Sequence, residues 1–280
     1  MAKMNRDQIF KKYAKGNKDA PLKVISLGLG VQSTALYLMS SMGYKVPRSD
    51  VAVFSDPQAE HPKTYEILDW LLKWKEENNG IDIIVNRSRN LYKDIVEKIP
   101  KGERVASIPA FSKNNDGLLM RQCTSEYKIQ PVIKSCRKLH NLKPRQRMLP
   151  TEMWLGISTD EIERMKNSNL YNISYFYPLI YHQISRNDCI DFMEENDFPV
   201  PVKSSCVFCP YHSNKFWVDM KKDKKVWDTI VEVDNTIRKN KKLREPQYLH
   251  RSCNPIDEID FDDGQTEMFE GFDCEGYCGL

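Results

Sequence analysis

The stretch KVISLGLGVQSTALYLMSSM, Lys23 to Met42, decides the fold. Val24, Ile25 and Leu27 form a short apolar run with β-branched members, and from Ser33 onward Ala35, Leu36, Leu38, Met39 and Met42 fall at helical spacing. A buried strand that turns directly into a helix is half of a βαβ unit. In such a unit the turn lies at the carboxyl edge of a parallel sheet, where the first N–H groups of the helix lack partners and the helix dipole favours negative charge. Gly28 and Gly30 remove Cβ atoms where phosphates would meet the chain, and Ser33 and Thr34 bring two hydroxyls to the start of the helix. The turn matches neither G-x-G-x-x-G, because residue 33 is Ser, nor a Walker loop, because no Gly-Lys-Ser/Thr follows. A plain strand-to-helix connection capped by Ser33 is the competing reading.

Outward from this stretch the same pattern repeats. Residues 1–20 are polar and lysine-rich and read as an N-terminal arm. Val51 to Phe54 is a second buried strand, Lys63 to Asn78 an amphipathic helix, and Ile81 to Val85 a third strand. This β, α, β, α, β order predicts an α/β fold with a doubly wound, mostly parallel sheet and helices on both faces. Ligands of such sheets sit beyond the strand carboxyl ends. Asp56 and Glu60 follow the second strand there, placed to hold Mg²⁺ on bound phosphates or to contact a ribose; simple solvation is the plainer reading. Lys101 to Asn115 lacks periodicity and reads as a long loop. Met153 to Ile157 is a further strand, followed by Ser158, Asp160, Glu161 and Arg164, and Asn172 to Ile180 is extended. Ser185 and Asp188 cap a helix reaching Asn196. Helices are expected at Asn214 to Met220 and Lys224 to Lys239, and an acidic tail closes the chain. The organisation expected is an arm (1–20), a main domain (21–213), a helical extension (214–255) and a cysteine-bearing tail (256–280).

With 280 residues, 42 basic and 39 acidic, the chain can bury a sizeable core, and its net charge of +3 does not by itself mark a nucleic-acid binder. The basic run Arg238 to Arg244 reads as a solvated helix end, with a phosphate-backbone contact as the alternative. No apolar run is long enough to span a bilayer and the N-terminus has no signal core, so a soluble, cytoplasmic protein with no membrane partner is expected.

Eight cysteines in such a chain point to ligation or chemistry rather than a disulfide framework. Cys206 and Cys209 form C-x-x-C, and Cys274 and Cys278 lie near the end. Cys189 and Cys136 read as packed. Cys123 precedes a helix starting near Ser125, where the dipole favours a thiolate. Cys123, Cys206 and Cys209 would suit an iron-sulfur cluster with one iron left open. The same three with His212 or Cys253 would suit tetrahedral zinc. A redox C-x-x-C pair is a third option, though it does not follow a first strand as that chemistry requires.

Together these segments resemble the adenine nucleotide alpha-hydrolase superfamily, in its phosphoadenosine phosphosulfate (PAPS) reductase-like branch. Ser26 to Ser33 is similar to the branch's S-G-G-x-D-S pyrophosphate loop, with Gly28-Leu29-Gly30 for S-G-G and Gln32 for its Asp. Phe54 to Glu60 is similar to D-T-G-x-E, Cys123 to Lys128 to a cysteine-then-basic motif, and Gly156-Ile157-Ser158 with Glu161 and Arg164 to G-I-R...E...R. Tyr177-Pro178-Leu179, Phe198-Pro199-Val200 and Cys206-x-x-Cys209 keep the branch's order, the pattern from Cys123 to Ile129 resembles DNA phosphorothioation sulfurtransferases, and Tyr277 to Leu280 resembles the E-C-G-L-H tail of sulfonucleotide reductases.

The resemblance implies an adenine nucleotide, ATP or PAPS with Mg²⁺, on Ser26, Gly28, Gly30, Gln32, Ser33, Thr34, Asp56, Glu60, Gly156, Ser158, Glu161 and Arg164. It implies a 4Fe-4S cluster on Cys123, Cys206 and Cys209, and sulfur handling by Cys278 or Cys274. The activity expected is ATP-dependent sulfur transfer, with a nucleic-acid acceptor as one option. Its rivals are PAPS or adenylylsulfate reduction and a zinc-stabilised nucleic-acid-binding module without catalysis.

Overall fold

The computed structural model describes residues 16–113 and 121–261. Five strands form one parallel sheet: β1 (Lys23–Leu27), β2 (Val51–Ser55), β3 (Ile83–Asn86), β4 (Thr151–Leu155) and β5 (Ile173–Phe176), in the order β3-β2-β1-β4-β5. Parallel registers such as Ile25 opposite Ala52 and opposite Trp154 tie the centre together. The chain winds outward from β1 to β3, then returns to lay β4 on the other side of β1. This is the doubly wound α/β fold, and its switch point lies between β1 and β4.

Period-two alternation sorts the strand residues onto two faces. Ile25, Leu27, Ala52, Phe54 and Trp154 join one core with helix α1 (Val31–Met42), helix α2 (Pro62–Asn78) and later α4 (Arg186–Glu195). Val24, Val51, Val53, Met153 and Leu155 face the other way, onto Val132 and Cys136 of α3 (Gln130–Leu139) and onto Tyr177 and Ile180. Both faces are covered, so β2 and β4 are buried along their full length. Each fully buried Leu, Ile or Phe here contributes about 1.5–3 kcal/mol.

The ends of these elements follow from local chemistry. Pro62 opens α2 while the His61 ring accepts from the Lys63 amide at 3.1 Å, and α1 stops at Gly43 in the left-handed region, φ 67°. Ser185 and Asp188, in the stretch expected to cap this helix, form a reciprocal capping box. Several boundaries differ from the sequence reading. Helix α1 starts at Val31, with Gly30 rather than Ser33 at its N-cap, and β4 starts two residues earlier than its apolar run. A helical segment unanticipated from sequence covers Leu91–Lys93 and Asp94–Lys98, the second part as a π-turn.

A third core lies off the carboxyl edge of the sheet. Ala59, Leu91, Ile95, Ala106, Tyr127, Val207 and Phe208 pack there with α5 (Asn214–Met220), α6 (Lys224–Arg238), Leu249 and Ile256. The buried Asp234 carboxylate on α6 accepts from the Leu249 and Ile256 amides and from Arg238, which fastens the final segment onto that helix. Among the described residues no helix is long and apolar enough to cross a membrane.

Candidate functional site

Residues 28–30 leave β1 at the switch point and enter α1. The strained position is Leu29, a buried residue at φ 59°, whereas Gly30 is extended at φ −92° and Gly28 lies outside the left-handed region. The Ser33 hydroxyl accepts from the Gly28 amide and donates to the Gly30 carbonyl, both at 3.2 Å, so it holds the loop's curvature instead of capping the helix. Gly28, Gly30 and Ser33 are half-exposed; Thr34 is fully buried and its hydroxyl has no hydrogen-bond partner among the described residues.

The three glycines here have different reasons. A Cβ on Gly156, just past β4, would stand 2.7 Å from Ser33 Cα and 2.8 Å from its nitrogen, so that glycine lets β4 pass the first turn of α1. A Cβ on Gly28 would meet nothing nearer than Ser33 Oγ at 3.5 Å, and one on Gly30 only Ser204 Cβ at 3.9 Å. Neither packing nor dihedral angle requires glycine at those two positions.

A polar network closes the β4 side of the mouth. Gln32 Nε2 donates to Glu161 at 3.3 Å, Arg186 donates to Gln32 Oε1 at 3.1 Å, and Arg164 pairs with Glu161 at 2.7 Å. Ser158 donates to Asp160, which also accepts from the Arg186 amide. Only a side chain with both an acceptor and a donor joins a guanidinium to a carboxylate in this way, which accounts for Gln at position 32.

The acids after β2 are turned inward. Asp56 is 2% exposed and accepts from Gln58 N, Tyr65 OH and Arg87 Nε, at 2.7, 2.9 and 2.9 Å. Glu60 is 3% exposed; it forms an ion pair with Lys128 at 2.7 Å and accepts from the Ser204 hydroxyl at 3.1 Å. Both carboxylates thus hold the protein's own loops.

Residues 59–61 pair with 205–207: Val207 N donates to Ala59 O, and His61 N to Ser205 O. That pairing delivers the C-x-x-C to the carboxyl edge. Cys123 enters at the head of the π-helical turn Thr124–Ile129, its amide donating to Ser107 O at 3.2 Å. Cys123, Cys206 and Cys209 line one small cavity, about 30 Å³, with Arg121, Tyr127 and Lys128. Ser26, Gly28, Ser55 and the same Lys128 line a second of similar size at the mouths of β1 and β2. Lys128 is therefore the shared wall between the loop after β1 and the thiols. The sequence signal for it was the basic position closing the motif at Cys123; Arg186 and Ser204 had none.

Burial first, and then the Glu60 carboxylate, push the Cys206 thiol well above its usual range, with Lys128 opposing. His212 Nε2–H donates to the Cys206 carbonyl at 2.8 Å, and burial lowers this imidazole's pKa to about 3, so it is a neutral brace stacked on Phe216. Cys253 is not among the residues lining the thiol cavity, and Cys136 and Cys189 are core thiols pushed to about 12 by burial. Among the described residues no three His, Cys, Asp or Glu side chains stand where they could hold a single metal ion. Cys274 and Cys278 lie outside the described residues.

No protein-family model matches this chain, and no curated protein matches it. Among solved structures it is similar to a phosphoadenylyl-sulfate (PAPS) reductase from Candida auris in complex with phosphate. That match has a TM-score of 0.44 at 12% sequence identity and covers 71% of this chain and 91% of that one.

What this edge of the sheet can do chemically follows from its parts. The loop presents backbone N–H groups and the positive end of α1. Beside it stand a lysine and three thiols in a partly water-excluded pocket, a combination suited to binding an anion next to sulfur. Cys123, Cys206 and Cys209 are the side chains here that could ligate iron-sulfur or zinc; His212 Nε2 is engaged with the Cys206 carbonyl, and Cys253 does not line this cavity.

Proposed function

We propose that this chain is an adenine-nucleotide-dependent sulfur-transfer enzyme, in which ATP activates an acceptor oxygen and sulfur replaces it. The observation that carries this reading is the contact between the two halves of the site. Lys128 lines both the cavity at Gly28 and the cavity at the thiols, and Ser204, two residues before Cys206, is the nearest neighbour a Cβ on Gly30 would meet, at 3.9 Å.

In this reading the nucleotide lies along the open carboxyl edge across Gly28–Gly30, since neither 30 Å³ cavity would enclose one. The N–H groups of the α1 start and the Ser33 loop receive the phosphates, and the missing Cβ atoms of Gly28 and Gly30 allow the close approach. The acceptor oxygen attacks the α-phosphate, the bond to the β-phosphate breaks and pyrophosphate leaves with the electron pair. Oriented N–H groups and the Lys128 ammonium stabilise the charge that grows in that step. The adenylated oxygen then departs with AMP as a sulfur nucleophile takes its place. Cys123, Cys206 and Cys209 would hold a 4Fe-4S cluster, which when bound supplies an open iron for sulfur. The Arg186, Gln32, Glu161 and Arg164 network keeps the first turn of α1 in place, and Cys278 or Cys274 carries or receives sulfur.

The test feeds ATP with Mg²⁺ and PAPS to anaerobically purified protein in separate reactions. Pyrophosphate from ATP with PAPS untouched is the expected result. Sulfite from PAPS with no pyrophosphate from ATP would assign the site to sulfonucleotide reduction instead.

A further inference from the structure

A further cleft shares no lining residue with the loop after β1 or the thiols. It is an open groove of about 830 Å³ between the turn 99–102 and the C-terminal half of α6 with the residues that follow. Lys101 stands on one wall and Lys239, Lys241 and Lys242 on the other, all exposed. Gly102, at φ 67°, makes the first wall a tight turn, and a Cβ there would come within 3.5 Å of Lys242 Cε, so the two walls approach at that end. The two acids of the groove are already engaged: Asp228 pairs with Lys224 at 2.6 Å, and Glu232 accepts from the Tyr92 hydroxyl.

The neutral groups point to the same ligand chemistry. Asn235 Oδ1 accepts from Arg238, and Asn240 Oδ1 accepts from the Lys242 amide, so one acceptor position of each side chain is taken while its carboxamide N–H groups can still donate to an anion. The groove therefore sets four lysine ammonium groups against two carboxylates, one of which is ion-paired with Lys224. A helix C-terminus alone repels anions, and here three lysines within four residues outweigh that dipole.

We infer that this groove binds the phosphodiester backbone of a nucleic acid. Lysine ammonium groups act as point charges toward phosphates, and an open trough admits a continuous strand. No aromatic side chain lines the groove among the described residues, so it has no platform for unstacked bases. The contact is therefore to the backbone of a duplex, largely independent of sequence. This surface is separate from the proposed nucleotide site, and either assignment stands if the other fails.

The test uses the full chain and fluorescence anisotropy with a labelled DNA duplex and a labelled RNA hairpin, from low salt to about 0.2 M. Binding to one or both is expected, and which arm binds identifies the source of the phosphodiester. The combined variant Lys239→Gln, Lys241→Gln and Lys242→Gln is expected to weaken binding at least about tenfold and to reduce the log–log salt slope by about 2 to 3. Its melting temperature and its ATP binding should stay at the wild-type values, since none of the three lysines touches the core or the loop after β1. Absence of binding to either probe at low salt overturns the proposal. So does a variant with unchanged affinity and salt slope, and so does polyglutamate displacing the probe as well as nucleic acid at equal charge, which would assign the groove to an acidic polypeptide.

Discussion

Substituting the three glycines around α1 one at a time separates packing from ligand binding. Gly156→Ala puts a methyl group 2.7 Å from Ser33 Cα, 2.8 Å from Ser33 N and 3.0 Å from Gln32 C, all backbone atoms that no rotamer change can move aside. Relief requires β4 and the first turn of α1 to separate by several tenths of an ångström. Overpacking of this kind costs about 1–3 kcal/mol, and the upper part of that range applies when the obstacle is backbone. At about 2 kcal/mol the folding equilibrium falls roughly thirtyfold, which a protein with 5–15 kcal/mol in hand survives, to within the usual order of magnitude. Gly28→Ala and Gly30→Ala meet only ordinary contacts, at 3.5 and 3.9 Å, in conformations alanine adopts. Their stability should stay level or rise by about 0.4–1 kcal/mol through the unfolded state. Urea titration gives the first quantity, and calorimetric titration with ATP and Mg²⁺ gives the second. The expected pattern is a destabilised Gly156→Ala, and Gly28→Ala and Gly30→Ala variants as stable as wild type with ATP binding weakened at least about tenfold, equivalent to about 1.4 kcal/mol. A Gly30→Ala protein that binds ATP like wild type would refute the argument that the glycine leaves room for a ligand.

Lys128→Met strips the cation from a Glu60 carboxylate that is buried to 0% side-chain exposure, and should lower stability by about 3 kcal/mol. Adding Glu60→Gln should restore most of it in the same urea titration; no recovery would show that the ion pair was not what was lost. Gln32→Glu sets two carboxylates against each other where an amide now bridges Arg186 and Glu161, and should cost about 1–3 kcal/mol, with Glu161→Gln as the compensating change in a thermal melt. Hydrogen bonds from Arg104 and Arg89 hold the Glu126 carboxyl below its usual range. The folded state therefore binds this proton less readily than the unfolded chain. Its stabilisation is fully present above the ordinary carboxylate pKa and is lost as pH falls through the depressed folded value. Stability measured against pH below about 4.5 should fall less steeply in Glu126→Gln than in wild type; identical acid limbs would contradict the assignment.

The doubly wound sheet was legible because its strands are short apolar runs followed by helical periodicity, and because both faces are covered. Val51 to Ser55 is buried throughout, so an uninterrupted apolar run marked it as well as alternation would have. The start of β4 was not legible, since Thr151 and Glu152 are polar residues inside the sheet. Glu152 is accommodated there by the Trp154 indole and the Asn17 amide, one of them far away in sequence. The helical piece at 91–98 was missed because its two short parts include a π-turn, and only Leu91 and Ile95 are buried in it. At the site, the position of the glycine loop followed from local pattern. Its partners did not, because Arg186 lies 154 residues beyond the Gln32 it bonds, and Ser204 lies 144 beyond Glu60. Gly156 read as part of a ligand motif, whereas its contacts give it a packing reason that only the crossing of β4 and α1 reveals.

In the proposed function the loop after β1 and the three thiols form one site. Timed alkylation of the anaerobic, metal-depleted protein, read cysteine by cysteine by mass spectrometry with and without saturating ATP and Mg²⁺, tests it most directly. Nucleotide is expected to slow labelling of Cys123 and Cys209 severalfold while half-buried Cys253, outside the cavity, labels at an unchanged rate. Equal protection at Cys253, or none at Cys123 and Cys209 under conditions where ATP is bound, would contradict it.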